Sequence, residues 1–154
     1  MKYQAEPYSC GAAAVVNALR CLGHRVSEVT VRSWAGTDPD HGTDEVGIRA
    51  AIHWLGYIGS DFELTQRRRA MNKLRGALAV GSPVIISTQN AQHWVTVAAA
   101  LDCGKRFLVI DPVNTAKNLG ENGIHVLSAR ELLKTWRCRD PEFGFYGIIC
   151  RRKT

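Results

Sequence analysis

The sequence predicts an α+β fold, with a helical half at about residues 1–80 and an antiparallel sheet at about residues 81–154. Two observations support this prediction. Before residue 80, apolar residues recur at helical spacing between capping residues. After residue 81, short β-branched runs alternate with turn formers, and one capping box marks a helix among them. Helices followed by strands indicate a single α+β domain over residues 1–154.

The helical half is predicted to begin with a buried helix. Ser9 is a candidate N-cap and Gly23 a candidate left-handed C-terminal residue, and the positions between them are apolar on nearly every face. A helix of this kind lies inside a protein. Thr43 or Asp44 caps a later, amphipathic helix that ends at Gly56. In order, we expect helices at about residues 9–23, 27–34, 43–56 and 65–79.

The sheet half is predicted from a change of periodicity after Gly81. Asp102–Lys105 is a turn between two of the β-branched runs. Ser128 and Glu131 form a capping box, so a helix is expected from there to about Trp136. The expected strands cover residues 83–87, 93–101, 106–110 and 145–150.

The composition is that of a soluble globular protein. Of 154 residues, 45% are hydrophobic and 22% charged, and no segment approaches the roughly 20 apolar residues of a membrane span. No apolar signal region is found at the N-terminus, so we expect either a cytoplasmic protein or a domain excised from a longer one. The 5 cysteines include no CxxC pair, and their odd number favours reduced thiols.

Neither a metal nor nucleic acid is predicted as a ligand. Cys21 and His24 are the only local hint of a zinc site, and no second pair at ligand spacing accompanies them. The net charge of +6 includes the runs 67–69 and 151–153, but no aromatic residues are interleaved with these basic residues. The charge supports only a modest preference for acidic partners, and no cofactor is expected.

Cys10 is the candidate nucleophile. It lies in the first turn of the buried helix, where the positive end of the helix dipole favours a thiolate over a thiol. Nucleophilic cysteine chemistry also needs a base, a group that orients the base, and donors for an oxyanion. Among five histidines, His93 stands at the start of a strand, where a rigid sheet would hold its ring. Asp111 ends the following strand, and Gln4 lies six residues before Cys10.

Together these residues resemble the papain-like cysteine peptidases. Gln4-x5-Cys10-Gly11 opens a buried helix, His93-Trp94-Val95 begins a strand, and Asp111-Pro112 ends the next. Within that group the chain looks most like the leader-peptide peptidase domains of bacteriocin exporters, the double-glycine peptidases, and their stand-alone relatives.

The resemblance implies a role for each matching residue. Cys10 would be the nucleophile, His93 the base and then the acid, and Asp111 the orienter of His93. The Gln4 side chain and the Cys10 backbone N–H would form the oxyanion hole. Substrate contacts are implied at four further positions: Gly11, Gly42, Thr43 and Trp94.

Strand register leaves the orienting residue open. If Cys103 and Gly104 formed a tight turn in a regular hairpin, Asp111 would lie opposite Thr96, about 10 Å along the strand from His93 at about 3.3 Å per residue. Strict pairing would place Asn114 opposite His93. We favour Asp111, because a longer or bulged turn changes the register, and keep Asn114 as the alternative.

We therefore expect a peptidase that cleaves a peptide bond through an acyl-enzyme at Cys10. The resemblance implies a small residue such as glycine before the cleaved bond, a peptide or protein substrate, and an exporter as a partner if the chain does not act freely. An acyl transferase, isopeptidase or amidase would use the same chemistry on another substrate. The third hypothesis is a non-catalytic module that binds peptides without cutting them.

Overall fold

The computed structural model describes residues 1–113, 123–138 and 144–153. Within these residues the helices are α1 (Cys10–Cys21), α2 (Glu28–Ala35), α3 (Glu45–Trp54), α4 (Arg67–Ala79) and α5 (Ala129–Trp136). The strands are β1 (Tyr57–Leu64), β2 (Val84–Thr88), β3 (His93–Leu101), β4 (Arg106–Ile110), β5 (Ile124–Ser128) and β6 (Phe145–Arg152). Asn114, the alternative orienter, lies outside the described residues.

The strands form one antiparallel sheet in the order β1-β6-β2-β3-β4-β5. Helices cover both of its faces. Ile85 of β2 packs with α1, α2 and α3, whereas its neighbour Ile86 packs with α4 and α5 on the opposite face. This alternation follows from the two-residue period of a strand. The arrangement confirms the predicted α+β class.

Helix α1 is buried, as its apolar sequence predicts. Nine of its residues, from Gly11 to Leu19, are buried, and the helix packs against β3. The Thr96 hydroxyl donates to the Ala14 carbonyl oxygen at 2.9 Å, which ties the middle of the helix to the strand. The start of α1 is thereby held beside the start of β3.

Two strands were not predicted from the sequence. Strand β1 lies within the half that we expected to be helical and pairs with β6 at one edge of the sheet, while β5 forms the other edge. Neither strand shows the run of buried β-branched residues that identified β2 and β3. Most residues of β1 are only partly buried, and Gly59 and Asp61 interrupt its apolar residues.

The predicted capping bonds are confirmed for α3 and α5. Asp44 rather than Thr43 caps α3, accepting from the Gly47 N–H at 2.7 Å. The Ser128–Glu131 capping box is present in full. Ser9 occupies the predicted N-cap position of α1, but its side chain makes no capping bond. Its hydroxyl donates to the buried carboxylate of Glu28 on α2.

A β-bulge changes the register between β3 and β4. Leu101 pairs with Arg106, as in a regular hairpin, but the register shifts between Val97 and Ala99, so that Thr96 pairs with Ile110 instead of Asp111. The bulge moves Asp111 one residue nearer to the start of β3. The tight-hairpin register considered from the sequence does not hold beyond the bulge.

Candidate active site

Cys10 is the first residue of α1 and is partly exposed at the edge of the buried helix. The fold brings three groups to its thiol. His93, from the start of β3, and the backbone N–H groups of Trp94 and Gly11 lie close enough to the Cys10 thiol to lower its pKa. The thiol therefore lies among donors, in a setting that favours its ionised form.

His93 and Asp111 meet directly. His93 Nε2 lies 2.8 Å from Asp111 Oδ1, and both side chains are largely buried. The same Asp111 oxygen accepts from the Val113 N–H at 2.9 Å. The Asp111 backbone N–H donates to the Gly123 carbonyl oxygen at 2.8 Å, so backbone contacts fix the carboxylate that faces the imidazole.

The electrostatic environment favours the charged forms of Cys10, His93 and Asp111. Burial raises the pKa of the Cys10 thiol, but the hydrogen bond from His93, the Trp94 and Gly11 N–H groups and the His93 charge outweigh it and lower the pKa. Burial lowers the pKa of His93, whereas bonds to Asp111 and Cys10 and their charges raise it to about 9. Burial raises the pKa of Asp111, and its bonds from His93 and Val113 lower it below the ordinary value. Each shift favours a thiolate beside an imidazolium and a carboxylate.

Gln4 lies beside the same site, held by its backbone. Its N–H donates to the Pro112 carbonyl oxygen at 2.9 Å, next to Asp111. Its side-chain Nε2 donates to the carbonyl oxygens of Glu6 and Pro7, each at 2.9 Å. The Gln4 Oε1 atom is buried and has no hydrogen-bond partner. Two carbonyls thus set the orientation of the amide, because the flipped amide would bring three acceptor oxygens together.

Three of the predicted substrate-contacting residues form a packed wall behind Cys10. A Cβ atom on Gly11 would lie 2.7 Å from Thr43 Cβ and 3.2 Å from Trp94 Cδ1. The Trp94 indole N–H donates to the Thr43 carbonyl oxygen at 2.9 Å. All three are buried, and their substrate contact stays a prediction.

Gly42 lies at the rim of this wall. It has a φ of +69°, and a Cβ atom there would lie 3.2 Å from the Tyr8 carbonyl oxygen. Both the left-handed backbone and the close approach favour glycine. A cavity of about 440 Å³ is lined by residues that include Trp94, Trp136 and Tyr146, but Cys10 and His93 do not line it.

Sequence reasoning missed Glu28, the partner of Ser9. This carboxylate is buried at the start of α2 and binds both the Ser9 hydroxyl and the Ala5 N–H. In the sequence it follows Ser27, which caps α2 by accepting from the Thr30 N–H, and it is typical of an acidic residue that stabilises a helix N-terminus. No periodic signal distinguishes it from a solvent-exposed glutamate.

The fold is that of known peptidase domains. The chain is similar to the peptidase domain of Streptococcus ComA, a bi-functional ABC transporter involved in a quorum sensing pathway (16% identity, TM-score 0.73, covering 99% of this chain and 97% of that one). A double glycine motif protease from an AMS/PCAT transporter, solved in complex with the leader peptide, is similar at 20% identity and a TM-score of 0.71, with 98% and 89% covered. At these identities the similarity shows the fold alone.

A third similar structure comes from a secretion protein. It is the N-terminal peptidase C39 like domain of the toxin secretion ATP-binding protein from Vibrio parahaemolyticus, at 8% identity and a TM-score of 0.63, covering 94% of this chain and 98% of that one. No curated protein matches the chain.

The sequence itself identifies the family. It matches the Peptidase_C39 like family over residues 1–140, so the chain belongs to that family. Membership confirms the resemblance to leader-peptide peptidase domains and supports cysteine peptidase as the class of this protein. None of the described helices has the combination of length and hydropathy that a membrane span needs.

Proposed function

We propose that this protein is a cysteine peptidase in which Cys10 is the nucleophile, His93 the base and then the acid, and Asp111 the residue that orients His93. The observation that carries the proposal is the 2.8 Å contact between His93 Nε2 and Asp111 Oδ1, together with the nearness of His93 to the Cys10 thiol, whose pKa it lowers. A nucleophile, a base and an orienter in this order define the logic of a catalytic triad.

The first half-reaction forms a thioester. Because Nε2 of His93 is bonded to Asp111, the other ring nitrogen, Nδ1, serves Cys10. The thiolate attacks the carbonyl carbon of the substrate, and the C=O electron pair moves onto oxygen. The resulting oxyanion accepts from the Cys10 N–H and the Gln4 side chain. As the C–N bond breaks, imidazolium Nδ1 gives its proton to the departing amine, which leaves an acyl-enzyme on Cys10.

The second half-reaction restores the enzyme. Neutral His93 takes a proton from water, whose oxygen attacks the thioester carbon. When the new tetrahedral species collapses, the C–S bond breaks, a carboxylic acid is released, and Cys10 returns as a thiolate beside protonated His93. Asp111 keeps its negative charge throughout and stabilises the imidazolium form.

Gln4 must exchange a partner to serve as an oxyanion donor. Both hydrogens of its Nε2 are directed to the carbonyl oxygens of Glu6 and Pro7. A developing oxyanion is a stronger acceptor than a neutral carbonyl, because hydrogen bonds to ionised groups are roughly twice as strong. The exchange therefore favours the transition state over the resting enzyme, which is the condition for a contribution to kcat.

We further propose a leader or precursor peptide as the substrate, cut after a small residue such as glycine. The support is family membership together with a similar structure that is described as a double glycine motif protease in complex with a leader peptide. An exporter whose cargo carries that leader is the partner implied by the transporter domains of similar fold.

The test compares wild-type protein and Cys10→Ala on peptides that contain a Gly-Gly site, with a Gly-Leu peptide as the matched control. Wild-type protein is expected to cut after the second glycine and to spare the control, and Cys10→Ala is expected to fold normally and cut neither peptide. Unchanged turnover by Cys10→Ala would end the proposal. Products analysed by mass spectrometry in the presence of an added amine distinguish transfer to the amine from transfer to water.

A further inference from the structure

Glu28 is a buried carboxylate that the proposed mechanism does not use. It is the first residue of α2, and only 4% of its surface is exposed. An isolated buried carboxylate is costly, so its partners have to compensate. Lys2 Nζ lies 3.4 Å from its Oε2, and the helix N-terminus adds a favourable dipole. The remaining partners are hydrogen-bond donors from one short segment.

These donors lie beside the two residues proposed to stabilise the oxyanion. The Ala5 N–H, next to Gln4, donates to both Glu28 oxygens at 3.0 and 3.1 Å. The Ser9 hydroxyl, next to Cys10, lies 2.6 Å from Glu28 Oε1. A hydroxyl has one hydrogen, and the carboxylate is its strongest acceptor here. One carboxylate thus fixes the chain on both sides of the turn between Gln4 and Cys10.

The turn itself carries the Gln4 amide. Ser9 Oγ accepts from the Glu6 N–H at 3.1 Å, and the Ser9 N–H donates to the Glu6 carbonyl oxygen at 3.1 Å. The carbonyl oxygens of Glu6 and Pro7 are the acceptors that orient Gln4 Nε2. Movement of this turn would therefore move the Gln4 side chain relative to the Cys10 N–H.

We propose that Glu28 is a positioning residue for the oxyanion hole: through Ala5 and Ser9 it fixes the turn that places the Gln4 amide beside the Cys10 N–H. This inference rests on the proposed peptidase function and names a residue that acts on the site through others. Glu28 is not expected to influence the thiolate, because the groups that lower the Cys10 pKa are His93 and two backbone N–H groups.

The first test is Glu28→Gln, which keeps the size of the side chain and removes its charge. A displacement of about 1 Å in a catalytic group can cost about 100-fold in rate, so kcat on a cleavable Gly-Gly peptide is expected to fall about 10- to 100-fold, with KM little changed. Alkylation of Cys10 by iodoacetamide should keep its wild-type rate and pH profile, because displacement of iodide forms no oxyanion. An unchanged kcat would overturn the inference.

The second test asks whether Glu28 acts through Gln4. If it does, Glu28→Gln added to Gln4→Ala should lower kcat little beyond Gln4→Ala alone, because effects through a shared group are not additive. A double variant that loses the product of both single effects would overturn the inference. Should Glu28→Gln fail to fold, Ser9→Ala removes the 2.6 Å bond while the carboxylate keeps the Ala5 N–H, and the same two comparisons apply.

Asn17→Ala is the matched control for general loosening of this segment. Asn17 is buried and binds the backbone of Lys2 through two hydrogen bonds, at 2.6 and 2.9 Å, before the segment reaches Gln4. The Asn17→Ala variant is expected to unfold at a lower urea concentration than wild type and to keep its kcat within about twofold of the wild-type value. A kcat loss in Asn17→Ala equal to that in Glu28→Gln would overturn the inference. Turnover that survives Cys10→Ala would instead refute the proposed function.

Discussion

Replacing Asp111 by asparagine separates the charge of the orienting residue from its geometry. The bonds from His93 Nε2 and from the Val113 N–H converge on the same oxygen, Asp111 Oδ1, at 2.8 and 2.9 Å. In Asp111→Asn the amide oxygen can take that position and accept both bonds. The variant therefore retains the orienting contact and loses the negative charge beside the imidazole.

The magnitude follows from the pKa of His93, which rises from 6.5 to about 9 in this site. At about 1.4 kcal/mol per pH unit, this rise corresponds to about 3 kcal/mol in favour of the imidazolium. Burial opposes the rise, and Asp111 and Cys10 cause it. Loss of the Asp111 charge should return the pKa of His93 part of the way toward 6.5.

The pH dependence of kcat/KM measures this change. If the active form pairs a thiolate with an imidazolium, kcat/KM rises with pH as Cys10 loses its proton and falls again as His93 loses its proton. The alkaline limb of the wild-type pH profile is therefore expected near pH 9. In Asp111→Asn this limb should move to lower pH, with kcat at its optimum within about tenfold of wild type. Asp111→Ala, which also loses the orienting contact, should lower kcat by about 100-fold or more. An alkaline limb that stays near pH 9 in Asp111→Asn would refute the assignment of Asp111.

Three further predictions use other residues. In the peptide-cleavage assay, Gln4→Ala should lower kcat by about 100- to 1000-fold, which is the usual effect of losing one oxyanion donor. An unchanged kcat would show that Gln4 does not stabilise the oxyanion. Iodoacetamide should label Cys10 at lower pH than Cys21 or Cys150, because partial desolvation raises the pKa of the Cys21 thiol and burial raises that of Cys150 to about 12. Peptide mapping after labelling checks the order. Gly11→Ala should destabilise the fold by about 1–3 kcal/mol in urea unfolding, since its Cβ would lie 2.7 Å from Thr43 Cβ; a stability equal to wild type would contradict the packed wall.

Local signals in the sequence predicted most of the helices and central strands. Caps such as Asp44 and the Ser128 box act within a few residues, so they can be identified without knowledge of the fold. Strand β1 could not be identified in this way. It has no run of buried residues, and it becomes a strand because β6, more than 80 residues further along the chain, pairs with it.

The candidate site was predicted from the order of Gln, Cys, His and Asp along the sequence, but the contacts between these residues depend on the fold. Whether Asp111 could reach His93 depended on one unpaired residue between Val97 and Ala99, and no feature of the sequence marks this bulge. Ser9 illustrates the same limit. Its hydroxyl oxygen accepts from the Glu6 N–H and not from the first turn of α1, and its hydrogen is donated to the buried Glu28 carboxylate, which is distant in sequence.

The acyl-enzyme on Cys10 is tested directly by the intact mass of protein quenched in acid during turnover of a Gly-Gly peptide. The thioester mechanism predicts an adduct equal to the N-terminal product less one water, mapped by proteolysis to Cys10 and lacking in Cys10→Ala. Cleavage of the peptide with no adduct on Cys10, and at the same rate in Cys10→Ala, would contradict it.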